Sequence, residues 1–112
     1  MKKIEAIIRG EKLNEVRKAL LEADIPGITV YEVRGKGNQK GLELQFRGRP
    51  YNVDLLPKTK IELMVSDNHT EKVVELIKKT AYTGNVGDGK IMILPMDDLI
   101  KIRTGESGDY AI

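Results

Sequence analysis

Residues 83–95 read TGNVGDGKIMILP, and what stands on either side of that stretch decides the fold. Gly84, Gly87 and Gly89 fall close together and free the backbone to turn back with its N–H groups inward. Such a nest binds anions, phosphate above all. Lys90 closes it with a compact, mobile positive charge. Gly84–Lys90 satisfies the opening of the Walker pattern GxxxxGK, but Ile91 stands where a magnesium-binding Ser or Thr is required. A Walker loop also leads from a strand into a helix. Here a helical pattern comes first, with Val73, Leu76, Ile77, Thr80 and Ala81 on one face, and a strand pattern, Lys90–Pro95, follows. Two readings stay open on composition: a phosphate-binding turn of another kind, or a ligand-free glycine-rich connection.

Upstream, the same alternation of periods recurs. Ile4, Ala6 and Ile8 alternate with Glu5, Ile7 and Arg9, the period of a strand. Leu13, Val16, Leu20 and Leu21 then define one face of a helix. Asp24–Gly27 (DIPG) stops it, because Pro26 cannot continue a helix and Gly27 suits a turn. Ile28–Arg34 is rich in β-branched residues and reads as a second strand. Ile61, Leu63 and Val65 mark a third, alternating with Lys60, Glu62 and Met64. Asn68, with Glu71 three residues on, suits a capping box at the start of the second helix. The tail from Asp97 to Ile112 reads as irregular.

Between the second and third strands lies Gly35–Pro57, with short extended pieces around Leu42–Phe46 and Tyr51–Leu55. It is far longer than the usual connection of about 4–6 residues, and loops of that length tend to be functional or disordered. A solvated hairpin extension is the plainer alternative. The order is therefore β-α-β, long loop, β-α-β. Two such units make a four-stranded antiparallel ferredoxin-like sandwich with both helices on one face. The other face carries Ile7, Met64 and Met92 or its neighbours, and an apolar second face in so small a domain calls for self-association.

The 112 residues suit one domain with a modest core. With 19 basic and 17 acidic side chains, the net charge of +2 argues against a general nucleic-acid binder or a polybasic membrane-surface protein. The absence of cysteine excludes disulfides, thiolate metal sites and cysteine nucleophiles. No apolar run approaches the roughly 18 residues of a membrane span, and the charged N-terminus does not suit a signal peptide. A cytoplasmic, soluble domain is the expectation.

Candidate catalysts are few. His69 is the only histidine and has no cysteine or second histidine to share a metal with, so it reads as an exposed helix-start residue. Ser66 and Ser107 have no base near them in sequence. The pair Asp97–Asp98 reads as a solvated turn or helix start. The cations say more. Lys58 lies where the long loop re-enters the sheet, Lys90 is on the nest, and Lys101 and Arg103 alternate, so they would share a side if that stretch is extended. A nest with several convergent cations suits a polyphosphate; a set of separately solvated surface cations is the alternative.

Taken together, TGNVGDGKI, IRTGE at Ile102–Glu106, VDLLPK at Val53–Lys58, GKGNQKG at Gly35–Gly41 and the opening MKKIEAIIRGEKLNEVRKAL resemble the P-II nitrogen-signalling proteins, the GlnB/GlnK group, and GlnK most. The likeness runs over essentially the whole chain. It implies a single P-II domain over 1–112, with a T-loop at about 37–55, a phosphate-binding B-loop at 83–90 and a C-terminal loop at 97–112. It implies a non-enzymatic sensor, a homotrimer whose inter-subunit clefts bind ATP or ADP, with 2-oxoglutarate joining ATP through Mg²⁺. The expected target is an ammonium channel (an Amt transporter), with glutamine synthetase or nitrogenase as further possible targets.

Residue by residue, the resemblance assigns the phosphates to Gly87, Asp88, Gly89 and Lys90. The base and ribose would lie on Gly27, Thr29, Glu62, Leu63 and Met64, with Gly35, Lys36, Gly37, Asn38 and Gln39 completing the nucleotide site. Lys101 and Arg103 would reach across from a neighbouring subunit. Gln39 would ligate Mg²⁺ and, with Gly37, Lys40, Gly41 and Lys58, seat 2-oxoglutarate. An amide oxygen is a hard ligand suited to Mg²⁺, and a lysine can pair with a dicarboxylate. Arg47 would contact the target.

The chain also departs from the family pattern. Lys101 replaces a common Arg and loses its bidentate fork, Met92 replaces an aromatic, and Asn38 replaces a common Arg or Val. Tyr51 matches the residue uridylylated in some members, but the lead-in Phe46-Arg47-Gly48-Arg49-Pro50 differs from the usual one, so modification is not expected. A nitrogenase-regulating member is the alternative within the family. An RNA-binding ferredoxin-like module is the alternative outside it; that module needs aromatics on central strands, and the chain has only Phe46 and four tyrosines. A nucleotide kinase or acylphosphatase would need a base and nucleophile that the sequence does not offer.

Overall fold

The computed structural model describes residues 1–37 and 55–112 in full, and 42–46 and 49–53 by their backbone. Its elements are β1 (Lys2–Ile8), α1 (Leu13–Glu22), β2 (Thr29–Gly35), β3 (Leu42–Phe46), β4 (Arg49–Val53), β5 (Leu56–Val65), α2 (Asp67–Ala81) and β6 (Lys90–Pro95). Strands β2, β5, β1 and β6 form one antiparallel sheet in that order. The expected ferredoxin-like arrangement is thus the observed one. Strands β3 and β4 pair separately, Leu42 with Val53 through Phe46 with Arg49, so the two extended pieces of the long connection form a hairpin. The β5 strand begins at Leu56, earlier than its alternation first shows in the sequence, because Gly35 and Arg34 of β2 pair with Leu56 and Pro57.

The core lies between the sheet and the two helices. Ile4, Ala6 and Ile8 of β1 and Ile61, Leu63 and Val65 of β5 are buried against Val16 and Leu20 of α1 and Val73, Ile77 and Ala81 of α2. Each fully buried Val, Leu or Ile contributes about 1.5–3 kcal/mol of transfer free energy, which is why these positions keep strict periods of two and of three to four. Leu21 is an exception to the expected face: it is 62% exposed, while Val16 and Leu20 are in the core and Leu13 packs against it.

The end of α1 comes before Pro26 and has its own device. Asp24 takes a left-handed conformation, φ 62°. The N–H of Ile25 donates to the Leu20 carbonyl at 2.9 Å and that of Asp24 to Leu21 at 3.0 Å. These are the two bonds of a Schellman motif, with Ile25 returning to the core. The expected capping box at Asn68 is also displaced. Ser66 is the extended residue preceding α2, and Asp67 stands in its first turn, where the helix dipole favours a carboxylate. Ser66 Oγ lies 3.1 Å from His69 Nδ1, so the histidine serves the helix start.

The tail is a compact turn. The Gly105 N–H donates to the Lys101 carbonyl at 2.8 Å, and Ile100 bridges to Ser107. Asp98 Oδ1 accepts the N–H groups of Leu99 and Gly108 at 2.8 and 3.0 Å. Lys101 and Arg103 therefore stand on a turn and do not alternate along a strand. A short 3-10 helix, Gly108–Ala111, follows and buries Ala111.

Candidate functional site: a glycine loop and two separated half-sites

The glycine loop joins α2 to β6. Gly84, Gly87 and Gly89 all have positive φ, of 90°, 103° and 103°, which only glycine adopts cheaply. Gly89 is pressed against β1: a Cβ there would lie 1.6 Å from the Ile7 carbonyl oxygen. The loop's centre is organised by Asp88. Its Oδ2 accepts the N–H groups of Thr83 and Gly84 at 2.8 and 2.9 Å. Its Oδ1 accepts the Thr83 hydroxyl and, at 3.0 Å, Arg9 Nε. The Thr83 hydroxyl first, and its N–H next, hold the Asp88 carboxyl well below the usual carboxylate range. Arg9 also donates to the Val86 carbonyl at 2.8 Å, and Lys58 Nζ to the Gly87 carbonyl at 2.8 Å.

Asp88 thus supplies its own anion to part of the nest. Its side chain shapes the loop, and what it offers a ligand is backbone. Beside the loop opens a cleft of about 440 Å³ lined by Gly35, Lys36, Gly37, Lys58, the loop glycines and Lys90. Among the described residues, three lysines and one aspartate line this cleft. Partial burial, and then the neighbouring Arg9 charge, pull the Lys58 ammonium below its ordinary pKa.

Gly27, Thr29, Glu62 and Met64 come together elsewhere, lining a cavity of about 720 Å³ with Asp109 and His69. This cavity is acidic where the first is basic. Thr29 and Glu62 are register partners on β2 and β5. Lys58 and Glu62, the nearest β5 residues of the two cavities, are four residues apart on one strand, a span of about 13 Å at 3.3 Å per residue. One chain therefore holds two separate cavities at opposite ends of its sheet. Leu63 belongs to neither by its side chain, which is fully buried in the core. Lys101 and Arg103 are exposed on the tail turn and line neither cavity; Lys101 Nζ lies 3.8 Å from Glu106. The expectations for Asn38, Gln39, Lys40, Gly41 and Arg47, and for the side chain of Tyr51, fall outside the described residues.

Two features escaped the sequence. One is Arg9, which reads there as the polar end of a strand and is in fact the loop's anchor. The other is a charge square on the sheet's outer face. Lys3 lies 3.0 Å from Glu5 and 3.5 Å from Glu62, and Lys60 lies 3.5 Å from Glu5 and 3.2 Å from Glu62. Tyr31 donates to Glu62 at 3.2 Å, and Lys60 stands over its ring. Hydrogen bonds to Glu5 and Glu62 raise the Lys3 and Lys60 pKa values. Burial opposes ionisation of Glu62, but the hydrogen bond from Lys60 and its neighbours outweighs it and lowers the pKa. The parity of these residues was legible in the sequence; the pairing of Glu5 opposite Glu62 was a matter of register.

A ferredoxin-like sheet with a glycine-rich loop before β6 and a paired β3–β4 insertion between edge strand β2 and central strand β5 defines the fold class, and comparison with known proteins narrows it to a family. Residues 1–106 match the family model described as "Nitrogen regulatory protein P-II". The chain is 56% identical to "Nitrogen regulatory protein P-II 2" of Methanothermobacter thermautotrophicus, over all of this chain and 97% of that protein. It is 52% identical to "Nitrogen regulatory protein P-II" of Azospirillum brasilense and to that of Nostoc punctiforme, in each case across this whole chain. The chain belongs to the P-II family of nitrogen regulatory proteins, regulators that act in signalling. No helix among the described residues is long and apolar enough to cross a membrane.

Proposed function

We propose that this chain is a nitrogen- and energy-status sensor that binds ATP or ADP between copies of itself and regulates targets through the long connection. The observation that carries the reading is the separation of two complementary half-sites. A basic, glycine-lined cleft suits phosphates. An acidic cavity with Thr29 and Glu62 suits a base with amino donors. About 13 Å of β5, from Lys58 to Glu62, lies between them, and in this reading one mononucleotide takes its phosphates from one copy and its base from the next. Lys101 and Arg103 are exposed on the tail turn, and in this reading they join from a neighbouring copy. The outer sheet face supports self-association. Its charges already neutralise one another within one chain, which lowers the desolvation cost of covering them. Met64, Met92, Ile7 and the exposed Tyr31 and Leu94 surround them. A closed ring of three copies is the family-like arrangement.

Within this reading 2-oxoglutarate joins Mg-ATP, with Gln39 as the protein ligand to Mg²⁺ and Lys58 as a carboxylate partner. In this reading phosphate oxygens and the Gln39 amide supply the hard ligands Mg²⁺ prefers. The target is an ammonium channel, met by the connection that carries Arg47. The test is light scattering followed by calorimetric titration with ADP, Mg-ATP and 2-oxoglutarate. A trimer that binds one nucleotide per chain supports the reading; a monomer at micromolar concentration refutes it. Two ligands sharing one metal assist each other reciprocally. Gln39→Ala should therefore abolish the preference of 2-oxoglutarate for the Mg-ATP form and leave ADP binding in place. Equal 2-oxoglutarate binding with ATP, with ADP and alone would refute the shared-metal site.

A further inference from the structure

We propose that Arg9 is a positioning residue for the nucleotide loop: through Asp88 and the Val86 carbonyl it sets the loop's anion-receptive shape before any ligand arrives. The proposal rests on the nucleotide reading above and adds a residue that lies outside the cleft's lining.

The loop between α2 and β6 carries three glycines, and glycine loses more conformational freedom on ordering than any other residue. Left to itself, such a loop would have to be ordered at the expense of ligand affinity. Two contacts with the end of β1 order it in advance. One is backbone packing, Gly89 against the Ile7 carbonyl. The other is Arg9, two residues further on and 79 residues from Asp88 in sequence. Its guanidinium is bound in two directions at once, Nε to the Asp88 carboxylate at 3.0 Å and a terminal nitrogen to the Val86 carbonyl at 2.8 Å. Both side chains of the pair are mostly shielded, at 15% and 24% exposure, so the pair is less screened than a surface ion pair.

The geometry explains why the residue is arginine. A rigid planar fork serves a carboxylate and a carbonyl together, whereas an ammonium on a flexible stem is a point charge. Asp88 in turn gathers Thr83 and Gly84. One guanidinium therefore reaches, directly or through Asp88, Thr83, Gly84, Val86 and Asp88. Lys58 steadies Gly87 from the cleft side. The line of action runs from Arg9 through the loop to the phosphates, with no direct contact required.

The experiment compares the full-length protein with Arg9→Ala, Arg9→Lys, Asp88→Asn and the double variant Arg9→Ala/Asp88→Asn. Calorimetry with ADP and AMP is the first readout. Amide hydrogen exchange over residues 83–89 without ligand is the second. Arg9→Ala should weaken ADP about tenfold, the equivalent of about 1.4 kcal/mol. It should weaken AMP less, because AMP leans less on the loop, so the preference for ADP over AMP falls. A general loss of structure would weaken both alike. Arg9→Lys should recover part of the affinity, and the double variant should lose less than the sum of the two single variants, since the Arg9–Asp88 contact is shared between them. Exchange over 83–89 should quicken in Arg9→Ala. Unchanged ADP affinity in Arg9→Ala, or unchanged exchange, overturns the proposal. If the unsubstituted protein binds no nucleotide, the nucleotide reading fails, and the exchange measurement still decides whether Arg9 holds the loop.

Discussion

Gly89→Ala tests how far the loop depends on its contact with β1. Two costs are readable in the structure. The residue has φ 103°, and placing an L side chain in left-handed space costs roughly 1–2 kcal/mol. The added methyl carbon would lie 1.6 Å from the Ile7 carbonyl oxygen and 2.7 Å from its carbon. Both are backbone atoms of a central strand, buried on one side and paired on both edges, so the relief must come from moving the loop. Overpacking of that kind costs about 1–3 kcal/mol. The sum is about 2–5 kcal/mol. With an unfolding entropy of about 2.1 cal/mol/K per residue, 112 residues give about 4 °C per kcal/mol, hence a fall in melting temperature of about 8–20 °C. Calorimetry or circular dichroism at fixed protein concentration measures it, since assembly would make the midpoint concentration-dependent. Gly105→Ala separates the two costs: φ is 75° with open space around it, so strain alone should lower the midpoint by about 4 to 8 °C. Gly27→Ala, with neither positive φ nor a neighbour within 4 Å, should stay within about 0.5 kcal/mol. A Gly89→Ala protein melting within about 2 °C of the parent would refute the reasoning. The same arithmetic means that lost nucleotide binding in Gly89→Ala would say nothing about phosphate contact.

Lys90→Ala is the cleaner probe of the phosphate site, because Lys90 is exposed at the start of β6; ADP and ATP affinity by calorimetry should fall together, about ten- to hundredfold. Asp88→Asn should lower stability at neutral pH. The Asp88 pKa is depressed in the folded state, so its contribution is present above the ordinary carboxylate value, about 3.9, and is lost as pH falls below it. The gap in urea midpoint between parent and variant should accordingly narrow from pH 7 towards about pH 3, and a gap that widens on acidification would contradict the assignment. Asp24→Gly should raise stability by about 0.5–1 kcal/mol, seen as a higher urea midpoint, because the left-handed cap of α1 then carries a residue that tolerates it.

The sequence by itself determined the element order, the core and the family. Strict alternation in β1 and β5 and the helical spacing of Val73, Ile77 and Ala81 are local patterns, and burial of a face enforces them wherever the chain folds. The motifs that resemble the P-II proteins are likewise linear strings. Cap positions were less legible: Asp24 and Ser66 won over Pro26 and Asn68 because the hydrogen bonds that end or begin a helix depend on backbone angles that residue type only biases. Tertiary structure alone decided the rest. Arg9 and Asp88 are 79 residues apart and meet because β1 and β6 are neighbours in the sheet. Glu5 faces Glu62, and two lysines neutralise them, through the β1–β5 register. Gly27, Thr29 and Glu62 gather at one end of that sheet, and Lys58 and Lys90 at the other. Local pattern records which way a side chain faces, but pairing between distant strands sets what it faces, and no local period encodes that pairing.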